Sequence, residues 1–262
     1  MLNPRGSGST RGGAPHLPDP ATQGPFHPFT TDPGWSEAWW WLGVPVLFAI
    51  ALFVTWQVAP GWYSEWVIPE GYGILEFSQF VIILAAFALA VRLLFKPFVR
   101  RRPFVLAVTL IAALSCLYTA GEEVSWGQHF FHWNTPDYWA EVNRQAETNL
   151  HNTYAVFEKY PRAVLELGVV VGGILIPIAA VFAPWLRACR LSLFFPPAAL
   201  MPSAIGAMAF KLGDILAQKG YPELVFRPSE TIELYLYYFI LTYLIVFARR
   251  IGEIEAAEGK AR

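Results

Sequence analysis

The stretch Tyr72–Pro103 reads YGILEFSQFVIILAAFALAVRLLFKPFVRRRP, and its reading decides the fold. From Tyr72 to Phe95 the formal charges are Glu76 near the start and Arg92 near the end. A run of that length crosses the roughly 30 Å hydrocarbon core as one helix, which needs about 20 residues. A basic turn follows, with Lys96, Arg100, Arg101 and Arg102, and then the chain turns apolar again from Pro103 to Ala120. An apolar run, a basic turn and a second apolar run describe a helical hairpin whose turn lies on the cytoplasmic side.

Four more stretches share this character, so the fold class is all-α: a polytopic membrane bundle of six transmembrane helices. The expected spans are 38–59, 72–95, 103–120, 163–186, 193–212 and 231–248. Trp35, Trp39, Trp40 and Trp41 lead into the first, as indoles do at the headgroup level. Pro196, Pro197 and Pro202 interrupt the fifth, which membrane helices tolerate when neighbours satisfy the freed carbonyls. Gly168 and Gly172 form a GxxxG seam, read as packing within the monomer, and Ser203, Gly206 and Ala207 form another small-residue face.

Composition agrees. Hydrophobic residues make up 55% of the 262 and charged ones only 15%, where soluble domains carry roughly a quarter charged. A net charge of −1 offers no basic face for nucleic acid. Cys116 and Cys189 fall toward opposite ends of the membrane and read as small core residues. Residues 1–34 are rich in Gly, Pro, Ser and Thr and have no signal-peptide-like apolar core, so they read as a disordered cytoplasmic tail that carries His16 and His27. Residues 251–262 read as a cytoplasmic C-terminal tail. Basic residues also mark the turn at Arg187 and Arg190 and the end at Arg249, Arg250, Lys260 and Arg262, whereas the loop Gly61–Gly71 has none. The positive-inside rule then places both termini in the cytoplasm, as in a bacterial inner-membrane protein.

The remaining polar residues gather at the opposite, outer face. Helix two begins with Glu70, Glu76 and Gln79, and helix six with Glu230, Glu233 and Tyr237. Helix five ends near Asp214. Helix three runs into Gly121-Glu122-Glu123-Val124-Ser125-Trp126-Gly127-Gln128-His129. The long loop after it is expected to be structured, with a short interfacial helix from Asp137, and it carries Glu147-Thr148-Asn149-Leu150-His151-Asn152. His132 and the outer tryptophans read as an interfacial belt. Glu70 and Glu230 have an equally good reading as acids complementing helix N-termini. Glu122 and Glu123 sit at a helix C-terminus, where the dipole disfavours them, so a functional role fits them better.

Ionisable groups at membrane depth usually face a cavity. Glu122, Glu123, Glu76 and Glu233 are therefore the candidate catalytic residues, with Glu122 as general base. Glu123, His129, Glu147 and His151 are the candidate ligands for a divalent metal, Zn, Mn or Fe. A helical turn would set Glu147 and His151, four apart, on one face. Their spacing matches no HExxH or di-iron motif. The expected activity is a metal-dependent hydrolase or oxidoreductase in the bilayer, acting on a lipid or lipid-linked substrate. The alternatives are a carrier using Glu76, Glu122 and Glu233, and a non-catalytic subunit that docks a partner through the outer loop. Haem fits poorly, since the histidines lie in or near loops.

The strings GEEVSWGQ (121–128), Thr135-Pro136 and ETNLHN (147–152) together resemble a pattern found in uncharacterised bacterial multi-pass membrane proteins. The resemblance covers 32 residues, 121–152. It implies the membrane class and carries no activity with it.

Overall fold

The computed structural model describes residues 31–69, 71, 73–183 and 185–260, and every regular element among them is helical. Six helices are long and apolar enough to cross a membrane: α1 (Trp39–Val58), α2 (Ile74–Leu94), α3 (Pro103–Glu123), α4 (Lys159–Phe182), α5 (Leu191–Ala217) and α6 (Pro228–Lys260). Prolines open several of them. Pro103 and Pro228 begin α3 and α6, and Pro202 sits in the first turn of the regular part of α5, Met201–Ala217, where the missing N–H has no intrahelical role.

α6 is the axis of the bundle. In its most apolar stretch 72% of residues are buried, against 11% in α1, so α6 meets protein on all sides while α1 faces outward. Thr231 to Phe239 are buried without interruption. α2 and α5 pack along α6, and α3 packs against α2. Gly206 of α5 brings that helix against the Tyr235 ring of α6, as the small-residue face predicts. α4 is looser. Pro161 lies inside it and a π turn at Val171–Leu175 interrupts it, while α3 and α4 flank α6 without an extensive contact of their own.

The helices depart from the expected spans where polar contacts, rather than hydropathy, set their ends. α3 continues three residues beyond Ala120, which puts Glu122 and Glu123 on its last turn. The helix that becomes α4 starts at Ala155, not Ala163, and ends at Phe182, not Leu186. Within α5 the regular helix is Met201–Ala217, and Pro196 and Pro197 lie in a break between two 3-10 turns. α6 runs to Lys260, through most of the segment expected to be a tail.

Ion pairs explain that extension. Glu255 accepts from Lys96 Nζ at 3.3 Å and from the Phe98 N–H at 2.9 Å, and Glu258 pairs with Arg102 at 2.7 Å. The end of the N-terminal segment is fixed in the same way, against the expectation of disorder through residue 34. Thr31 donates to Glu253, Glu37 takes a two-pronged pair from Arg249 at 2.7 and 2.8 Å, and Asp32 takes one from Arg250 at 2.8 and 2.9 Å. Residues 1–30, with His16 and His27, lie outside the described residues, as do Glu70, Tyr72, Arg262 and the Arg190 side chain.

Arg250 is the strongest of these ties. It is only 3% exposed, and its Nη1 also donates to the carbonyls of Ser192, Leu193 and Phe195 at 3.3, 3.1 and 2.6 Å. It thereby serves backbone groups freed by the proline break in α5. Arg250→Ala is expected to lower unfolding stability in detergent by about 3–5 kcal/mol, because carbonyls and Asp32 lose a buried donor. Arg249→Ala, at a more open pair, is expected to cost about 1 kcal/mol or less. Chemical denaturation of both variants checks this, and equal losses would sink it.

Candidate functional site

The site is built where α2, α3, α4 and α6 meet the segment 124–154. α3 stops at Glu123 because the chain reverses: Ser125, Trp126 and Gly127 take φ values of +45°, +56° and +105°. Two successive non-glycine residues in the left-handed region are costly and persist only when their surroundings hold them. Trp126 is held by folding its indole back onto α3, where Nε1 donates to Glu122 at 2.6 Å. Gly121 makes room, since a Cβ there would lie 2.8 Å from the indole ring.

Side-chain amides then shape the loop. Asn143 donates to the Asn149 side chain at 2.7 Å and accepts the N–H of Gln145 at 2.9 Å. Gln128 accepts from both the N–H and the hydroxyl of Thr148 at 2.8 Å and donates to Thr135 at 2.7 Å. Asp137–Val142 forms the expected short helix. Residues 143–154 make turns rather than a helix, so Glu147 and His151 do not share a helical face.

Glu147 turns instead to His129. His129 Nε2 lies 2.9 Å from Glu147 Oε1 and 3.1 Å from Ser125 Oγ, and Ser125 donates to Glu147 Oε2 at 2.6 Å. Asn149 donates to the same carboxylate at 2.8 Å. The hydrogen bond to Glu147 raises the His129 pKa against the opposing effect of burial. Burial pushes the Glu147 carboxyl up, yet the hydrogen bonds from His129, Ser125 and Asn149 outweigh it and hold it below its usual range. The three residues do not form a nucleophilic relay. Ser125 and Glu147 approach the same ring nitrogen, where such a relay uses opposite ones, and Ser125 is fully buried.

Four of the expected acids converge with this loop. Glu76, Glu122, Glu123 and Glu233 line one polar cavity of about 300 Å³, together with Glu147, Glu230, His129 and His151. Glu122 is 7% exposed and both of its oxygens are engaged, one by Trp126 and the other by the His151 N–H at 2.6 Å. It fixes the His151 segment to α3, which suits positioning better than proton abstraction. Glu123 points instead to α6 and accepts from the Tyr237 hydroxyl at 2.8 Å. Glu233 pairs with Arg162 at 3.1 Å. Glu76 accepts the Gly71 N–H at 2.5 Å and Glu230 pairs with Arg227 at 3.4 Å, so both also serve the start of their helices. Asp214 and Gln79 do not line the cavity. Gln79 donates to the Glu230 carbonyl at 2.7 Å.

The four expected metal ligands do not form one group. His129 and Glu147 bind each other, Glu123 faces Tyr237, and the His151 imidazole makes no hydrogen bond among the described residues. Among those residues no three His, Cys, Asp or Glu stand together as a metal set. What the sequence reading missed is the cationic half of the cavity: Arg162, Arg227 and Arg144 also line it. Arg162 is the best placed, bonded at once to Glu233, to Glu166 at 3.1 Å and to the Ser229 carbonyl at 3.3 Å. Glu166 in turn pairs with Lys211 of α5 at 3.2 Å. The i,i+4 spacing of Arg162 and Glu166 at the rim of an apolar stretch was the available signal.

A second cavity, apolar and about 910 Å³, runs along α3, α4 and α6 below the first. Leu114, Leu165, Leu236 and Ile240 are among its walls, and Glu122, Glu123, His151, Arg162 and Glu233 line both spaces.

Two outcomes follow from this geometry. The His129 contribution to loop stability is full below its unfolded pKa near 6.5 and is lost as pH rises through the raised folded value. The Glu147 contribution is full above 4.5 and is lost as pH falls through its lowered folded value. Amide exchange of residues 143–152, corrected for intrinsic rates, is therefore expected to be slowest between about pH 4.5 and 6.5. In His129→Asn the alkaline loss should vanish; its persistence would refute the assignment. Secondly, protein purified without a polyhistidine tag is expected to carry Zn, Mn or Fe well below one ion per chain. Near-stoichiometric metal that disappears in Glu147→Gln/His151→Ala would mean that the His129–Glu147 pair opens around an ion.

Compared with family models, curated proteins and solved structures, the chain matches none, which leaves the geometry of the site as the ground for a functional reading.

Proposed function

We propose that the protein is a membrane-embedded enzyme acting on a lipid or lipid-linked substrate at the outer face of a bacterial inner membrane. One observation carries the reading: an apolar groove lying within three membrane-spanning helices and a polar, acid-rich cavity share Glu122, Glu123, His151, Arg162 and Glu233. An amphiphile fits such a pair of spaces with its tail in the groove, its head in the cavity and its linking bond beside the shared residues. Charge supports this orientation, since the basic turn at Lys96–Arg102 pairs with Glu255 and Glu258 near the end of α6, away from the cavity.

The roles follow from the contacts. Glu123, hydrogen-bonded to Tyr237, is the general acid–base, because it lines both spaces and its bonded partner is a hydroxyl rather than a cation. His151 lines the same two spaces and is the second proton-transferring group or a substrate contact. Arg162, braced by Glu166 and Glu233, orients the polar part of the linkage. Glu122 positions the His151 backbone.

Total membrane lipid with labelled head groups, reconstituted with purified protein, tests this. Wild type is expected to convert one labelled species, and Glu123→Gln or His151→Ala to slow that conversion by about 10²–10⁴-fold. Identical lipid profiles with wild type, with the variants and with no protein would sink the reading. Ion-driven solute uptake by proteoliposomes, in place of conversion, would turn it into a carrier.

A further inference from the structure

Gly168 lies on the apolar groove, and a Cβ built on it meets nothing within 4 Å. Its partner in the GxxxG pattern behaves differently, since a Cβ on Gly172 would touch Pro196 at 3.4 Å. The next residue, Gly173, is tighter, since a Cβ there would lie 2.7 Å from the Phe239 ring. The expected packing seam is thus displaced by one turn toward the π turn, and Gly168 is left without a helix to approach. Its missing side chain enlarges the groove and serves no contact.

The groove opens sideways. Val164, Tyr160 and Leu114 on its rim are 70%, 67% and 57% exposed, and all three lie within spans that face hydrocarbon. α6 forms the floor through Leu236, Tyr237 and Ile240. Gly168 follows Arg162 by six residues, about 9 Å along the helix, and Ile240 follows Glu233 by seven, about 10 Å. The groove therefore descends from the shared polar residues about one third of the way into a core of roughly 30 Å.

We infer that Gly168 is a specificity-determining residue that sets the length of a hydrocarbon tail, which the protein admits laterally between α3 and α4. This rests on the amphiphile reading of the site. The occupant is a hydrocarbon tail because the groove shares residues with the head cavity at its upper end and has exposed apolar residues along its open side. A bulkier residue at 168 would fill the lower part of the groove while leaving the polar residues untouched.

The test uses full-length protein in lipid nanodiscs, with retention of monohexanoyl-, monododecanoyl- and monohexadecanoylglycerol read by native mass spectrometry. Wild type and Gly168→Ala are expected to retain the two longer tails best. Gly168→Phe is expected to retain the longer tails at least about tenfold less while holding the hexanoyl species unchanged, since overfilling excludes only what reaches that depth. An unaltered length profile in a folded Gly168→Phe would overturn the inference and leave the amphiphile reading standing. Retention of none of the three by wild type would remove both. Should Gly168→Phe fail to fold, Gly168→Val and Gly168→Leu carry the same comparison in graded steps.

Discussion

A carboxylate at the edge of a hydrocarbon layer is tolerated only where donors reach it, and six glutamates impose that condition together at one end of this bundle. Their solutions differ. Glu122 is satisfied by an indole and a backbone N–H, Glu147 by an imidazole, Glu233 and Glu230 by guanidiniums, and Glu123 by a tyrosine hydroxyl. Those donors come from the 124–154 segment, from α4, from the turn before α6 and from α6 itself. Satisfying the acids therefore ties α3, α4, α6 and the 124–154 loop around one polar space, and Gln79 joins α2 to it through the Glu230 carbonyl.

The two ends of α6 divide the work. Near Glu233 and Tyr237 it faces the cavity and the groove, while near Arg249 and Arg250 it anchors the segment before α1 and the proline break in α5. A helix buried on every side can hold both sets of groups at fixed separation. α4 contrasts with it: carrying Pro161 and interrupted by the π turn, it is fastened beside the site through Arg162 and Glu166. A groove wall of that kind suits access from the bilayer better than a tightly packed helix would.

The helix count was legible because hydropathy reports on 20-residue runs and the basic turns punctuate them. The bounds were less legible, because Glu253, Glu255 and Glu258 extend α6 through partners 150 or more residues away in sequence. At the site, the convergence of Glu76, Glu122, Glu123 and Glu233 could be read from helix ends alone. The grouping of Glu123, His129, Glu147 and His151 could not be settled that way. Whether Glu147 faces His129 or His151 depends on the turns after Asn143, and those depend on amide contacts with Asn149.

By itself the sequence determined the membrane class, the six spans and the end of the bundle that gathers acids and histidines, because apolar length and charge position act locally. Only the tertiary structure decided which acids are engaged, that Arg162 joins them, and that an apolar groove meets the polar cavity. Those features depend on side chains from distant segments reaching one volume. No periodicity along a single helix records that meeting.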